Sequence, residues 1–202
     1  VFDQDSFSVT EIREEQEYTG KRVLFFAHLA GARIRIQVDV GFGDTVVTPP
    51  EKTVYPTILD FPAPKIWTYP IESVISEKTQ TIVYLGMLNS RMKDYFDMWS
   101  LSRSFSFKGD NLVKAIKATF DRRRTLIPKE VPIGLSEQFA LDEDKNKQWH
   151  AFLSRIGLKK QSIILPDVIK KLQEFLFPPL AASAYNNPFH QLWEAGGPWK
   201  EQ

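Results

Sequence analysis

Four charged residues in this 202-residue chain stand at positions where patterning alone would not put them. Asp39 closes the polar side of the alternating run RIRIQVDV (33–40), just before a Gly-x-Gly turn. A carboxylate there can ligate a divalent cation or act as a general base. It can equally be a solvated strand residue paired with Arg33 or Arg35. Lys78 shares one face of a helical segment with Val74, Ile75 and Ile82. An ammonium on an apolar stripe must be paired or must snorkel to water, since burying it alone is costly. Held in a cleft, it is suited to meeting phosphates. Asp94 and Asp97, in SRMKDYFDMWSL, lie on one side of a helix, with Asp94 inside the apolar arc of Tyr95, Met98 and Leu101. Such a carboxylate needs a partner. Lys78 on the preceding helix is the expected one, in a pair that serves structure or function; Arg91 and Lys93 are the local alternatives.

The elements that must carry these residues read as α+β. Residues 6–47 are β-rich. KRVLFFAHL (21–29) is apolar enough for a buried strand, and 33–40 alternates, with Ile34, Ile36, Val38 and Val40 on one face and Arg33, Arg35, Gln37 and Asp39 on the other. Six prolines between residues 49 and 70 exclude helix there and most ladder pairing, leaving an ordered connector with one short strand at most. After Pro70 the period becomes helical. Helices are expected from Glu72 or Ser73 to about Gly86, from about Ser90 to Arg103, and from an Asp110 N-cap to Asp121. Two more are expected over 144–156 and 166–177, the last with Pro166 at its first position. The organisation expected is thus a β-rich part with its connector (1–70), a helical lobe (71–180) and a loosely ordered tail (181–202).

Composition removes several function classes. With 26 Lys and Arg against 25 Asp and Glu, no whole-molecule field draws in nucleic acid, so any such contact must be local. The absence of cysteine excludes disulfides, thiolate zinc sites and cysteine nucleophiles. His28, His150 and His190 show no ligand spacing. No apolar run is long enough to span a membrane, and a cytoplasmic setting is expected. The run Arg122–Arg124 follows a helix, where it reads as a solvated end complementing the dipole or as a contact for RNA phosphates. GFGD (41–44) is a strand-ending turn rather than a phosphate loop. Trp149, Phe152 and Phe175 are expected in the core.

The segments ARIRIQVDVGFGD (32–44), YPIESVISEKTQTIVYLGMLNSRMKDYFDMWSL (69–101) and ATFDRRRT (118–125) resemble the AbiEii-type nucleotidyltransferases, over about residues 1–180. The resemblance implies a partial nucleotidyltransferase-type mixed sheet followed by a helical C-terminal lobe. It implies a bacterial toxin of a toxin–antitoxin or abortive-infection pair, moving a nucleotide from a nucleoside triphosphate to an acceptor such as tRNA, with Mg2+ and a cognate antitoxin. Residue by residue, Asp39 matches the superfamily's third metal-side aspartate, Lys78 the helical lysine that meets the triphosphate, and Asp94 and Asp97 the aspartates of the last motif. Asp39, Lys78 and Asp94 are therefore the expected catalytic residues. Lys78, Arg91 and Asp97 are expected to bind nucleotide, and Asp39 to bind metal.

The family's Gly-Gly helix start and strand-borne Asp-x-Asp are not matched. The Asp-x-Asp strings here are Asp3-Gln4-Asp5, read as lacking a strand-like setting, and Asp142-Glu143-Asp144 in a charged turn. Two-metal chemistry needs paired carboxylates. The expectation is that a segment upstream of Val1 supplies them, that these residues alone are inactive, and that an exposed sheet edge favours self-association. The alternative is a non-catalytic module that engages an antitoxin or RNA through the helical lobe.

Overall fold

The computed structural model describes residues 1–13, 19–42, 49–158 and 163–201. The chain is α+β and divides into two compact units, Val1–Thr45 and Val46–Gln202.

In the first unit, β1 (Phe2–Arg13), β2 (Thr19–Leu29) and β3 (Ala32–Gly41) form an antiparallel sheet in sequence order. Ala30 and Gly31 join β2 to β3 with φ of 48° and 83°, the two positive values that a tight hairpin turn with the twist of its strands requires. Register sets two faces. Val23 opposes Val38 and Phe25 opposes Ile36 on one; Arg22 opposes Asp39, Phe26 opposes Arg35 and His28 opposes Arg33 on the other. The alternation of 33–40 holds. KRVLFFAHL, however, is only half-buried, because the unit is one layer and offers its apolar face no second layer of its own. Phe25 is covered by stacking on Phe7, with ring centroids 4.6 Å apart, and by the edge of Phe2. Asp3-Gln4-Asp5 lies in β1, a correction to its reading as a non-strand setting. In the GFGD turn, Gly43 and Asp44 lie outside the described residues.

The second unit begins with a hairpin of β4 (Glu51–Val54) and β5 (Lys65–Thr68). The connector thus holds two short strands, possible because its six prolines all flank the paired segments. Among the described residues six α-helices follow: α1 (Ile71–Leu85), α2 (Met92–Ser104), α3 (Gly109–Arg122), α4 (Glu137–Leu141), α5 (Glu143–Arg155) and α6 (Leu165–Tyr185). Asp110 is not the cap of α3 but lies in its first turn, bonded to His190 at 2.8 Å. Helix α6 runs through the core against α2, α3 and α4. Ile82, Met98, Ile116, Phe139 and Trp149 are fully buried in the same core as Phe175 of α6.

The stretch after residue 180 is ordered rather than loose. Helix α6 continues past Pro178 and Pro179, and β7 (Gln191–Trp193) pairs with both β6 (Phe107–Lys108) and β8 (Trp199–Glu201). The reason is visible in two carbonyls. Pro179 cannot donate to Phe175 O four residues back, and the Trp199 indole N–H donates to it instead at 2.9 Å. Ser102 O, orphaned at the end of α2, accepts from the Trp193 indole at 2.6 Å and from the Gly196 N–H at 2.9 Å. Trp193 is fully buried.

Candidate functional site

Helix α1 buries Ile75, Thr79 and Ile82, and this stripe fixes its rotation so that Lys78 leaves the helix beside the core. The chain then reverses at Gly86. Its φ of +50° suits glycine, and a Cβ there would sit 2.9 Å from Ile133 Cγ2. A 3-10 turn (Gly86–Leu88) and Asn89 lead into α2. Asn89 is fully buried; its side-chain oxygen accepts the Arg91 backbone N–H at 2.9 Å. The buried Lys145 of α5 donates to the Asn89 carbonyl at 3.1 Å. These bonds set where α2 starts, and hence where its aspartates point.

The result is an ion cluster between α1 and α2. The Lys78 ammonium donates to Asp94 Oδ1 and, at 3.0 Å, to Asp97 Oδ2. Lys93, one helical turn before Asp97, donates to the same Oδ2 at 2.6 Å. Side-chain exposures of 20% for Lys78, 17% for Asp94 and 26% for Asp97 show a cluster sunk in the surface but still open to it. Burial pulls the Lys78 pKa down most strongly as a single influence. The hydrogen bonds and charges of Asp94 and Asp97 together outweigh it and hold the ammonium above its ordinary value. Arg91 is exposed at the N-cap position of α2. Two cations, Lys78 and Lys93, thus stand against two carboxylates, and Lys78 keeps one N–H beyond its two bonds.

On its other side α1 meets α3 through polar groups that the sequence reading missed. Arg123 donates to Gln80 Oε1 at 2.9 Å and approaches Glu77 Oε2 at 3.5 Å. Gln80 donates in turn to Thr125 at 2.7 Å, and the Tyr69 hydroxyl donates to Glu77. Arg123 is therefore turned inward, not part of a solvated helix end. One signal was available: Ser73, Ser76 and Gln80 recur at helical spacing on the face of α1 that packs on α3.

Asp39 lies in the first unit. Its partner is Arg22, which donates to both carboxylate oxygens at 2.8 and 2.9 Å, with Gln37 adding bonds of 3.1 and 3.3 Å. Arg33 and Arg35 lie too far along the same strand, whereas Arg22 is the direct cross-strand neighbour. The Arg22 hydrogen bonds lead in holding the Asp39 carboxyl below its usual value. Among the described residues, no three His, Asp or Glu side chains gather as a metal ion would require. Asp39 is taken up by Arg22, and Asp94 and Asp97 by Lys78, so these side chains do not by themselves make a metal centre.

Residues 1–176 match the family described as nucleotidyl transferase AbiEii toxin, type IV TA system. The chain belongs to that family. Membership of the AbiEii family carries with it a nucleotide substrate and an antitoxin partner. No curated protein and no solved structure matches the chain. No helix among the described residues of this AbiEii-family chain is long and apolar enough to cross a membrane.

Proposed function

We propose that the Lys78–Asp94–Asp97 cluster is the triphosphate-holding part of a nucleotidyltransferase site, serving transfer of a nucleotide from a nucleoside triphosphate to an acceptor such as tRNA. The observation that carries this reading is a lysine kept charged in a half-sunken cluster, with one donor to spare and a second cation, Arg91, at the start of the neighbouring helix. In such a transfer an acceptor hydroxyl gives up its proton to water, its oxygen bonds to the α-phosphorus, the bond to the bridging oxygen breaks, and pyrophosphate leaves. Lys78 and Arg91 would offset the charge gathering on that leaving group. Asp94 would fix the ammonium in place, and Asp97 would share that task with Lys93. A divalent cation generally completes this chemistry; Asp39, matched to a metal-side aspartate by resemblance, would first have to release Arg22.

The test is triphosphate binding by calorimetry, alongside transfer of label from each α-labelled triphosphate to tRNA. Lys78→Met should weaken triphosphate binding at least about tenfold, the order of one charge-assisted contact, with helical content retained. Equal affinity in the wild type, Lys78→Met and Asp94→Asn would show that the cluster only holds helices together. That outcome would favour the binding-module alternative.

A further inference from the structure

The polar face of the β1–β2–β3 sheet carries a second pattern that the ion cluster does not use. At the hairpin end, Phe26 and His28 of β2 oppose Arg35 and Arg33 of β3. The Arg33 guanidinium lies over the Phe26 ring, 3.7 Å from its centroid. Arg33, Arg35 and His28 are exposed, and among the described residues neither arginine has an ion-pair partner. Of the carboxylates on this face, Asp39 is ion-paired with Arg22, and Asp3, opposite Phe26, accepts the Asp5 backbone N–H at 3.2 Å and keeps its charge. Two arginines without an ion-pair partner among the described residues therefore sit beside a flat, stacked Arg–Phe surface in a chain whose net charge is only +1.

We propose that this face is a platform for single-stranded RNA. Guanidinium and aromatic planes accept unstacked bases, and arginines spaced along a strand reach successive phosphates. An acidic protein segment would use the charges but not the stacking plane. A duplex hides its base faces. The choice of RNA over DNA rests on the acceptor in the proposed function; the platform itself does not.

Fluorescence anisotropy of the chain with a labelled single-stranded RNA about 12 nucleotides long, across a salt series, tests this without reading transfer. Arg33→Gln with Arg35→Gln, both exposed and remote from any core, should weaken binding about tenfold or more and reduce the salt slope by about 1.4, or 0.7 for each lost phosphate contact. Phe26→Leu should weaken binding about fivefold or more with the slope unchanged, because stacking releases no counterions. Circular dichroism checks that each variant keeps its strand signal. No binding by the wild type, or an unchanged affinity and slope in the double variant, overturns the platform. Equal displacement by polyglutamate overturns it in favour of an acidic protein surface. Equal binding of the matching DNA overturns the assignment to RNA. RNA binding that responds to these variants, in a chain that transfers no nucleotide, leaves the platform standing while the proposed function falls.

Discussion

Lys78→Met removes the one cation that Asp94 and Asp97 share. Breaking a fully buried pair from one side costs about 3–5 kcal/mol, and an exposed pair contributes about 0–1 kcal/mol. With a lysine 20% exposed and Lys93 still bonded to Asp97, the expected loss lies between these limits, at about 2 kcal/mol. Asp94→Asn keeps the shape and leaves Lys78 bonded to Asp97, for about 1 kcal/mol. Once Lys78 is gone, Asp94→Asn removes an uncompensated charge, so the double variant should be no less stable than Lys78→Met. The cycle should therefore return a coupling of about 1 kcal/mol or more. Urea unfolding followed by circular dichroism at pH 7 measures it, and Lys78→Met should lower Tm by about 4–8 °C for a unit of this size. The pH dependence has a definite sign. Because the folded-state pKa of Lys78 is raised, its contribution is complete below the unfolded value near about 10.4, and disappears as pH rises through the folded value. A coupling under about 0.5 kcal/mol, or a wild-type advantage already lost at neutral pH, would refute the reading of a charged, held lysine.

Two further outcomes follow from local geometry. Trp199→Phe keeps an aromatic ring but leaves the Phe175 carbonyl without its donor, and should cost about 1–3 kcal/mol by chemical denaturation. In a Pro179→Ala background, where the new backbone N–H can bond back along the helix, the same change should cost markedly less; an equal cost would refute the link between the two residues. Arg22→Met should raise the Asp39 carboxyl pKa toward that of a free aspartate in an NMR titration, since Arg22 is the leading cause of its depression; an unmoved midpoint would mean the pair is not held in solution.

The Lys78–Asp94 contact was legible because both residues interrupt apolar helical stripes, and burial forces unlike charges together. The positions of α1, α2, α3 and α5 followed from period with cap signals, and the core roles of Trp149, Phe152 and Phe175 from period, whereas α4 was not expected and α6 runs to Tyr185 rather than to about residue 177. Asp39 shows where that reasoning weakens: alternation fixes the face of a residue but not its cross-strand neighbour, which hairpin register decides. Arg123 reads as a surface cation because nothing local reveals how α3 turns toward Gln80. The stretch past residue 180 was misread for a different reason. Its Pro, Asn and Gly content signals loop, and its order comes from two indole N–H groups finding carbonyls in distant helices.

Those indole bonds also bear on the order in which the second unit can assemble. Trp193 reaches Ser102 across 91 positions of sequence, and β6 waits for β7 as its partner. During synthesis, α1 to α3 emerge long before the strands that seal them. Loop closure over such a separation is slow relative to helix formation. Until β7 and β8 arrive, the Phe107 and Phe175 rings that they cover stay open to other apolar surfaces. The nascent chain therefore passes through an interval in which it is largely helical yet unsealed, and chaperone binding or misassembly at that interval is set by residues 191–201.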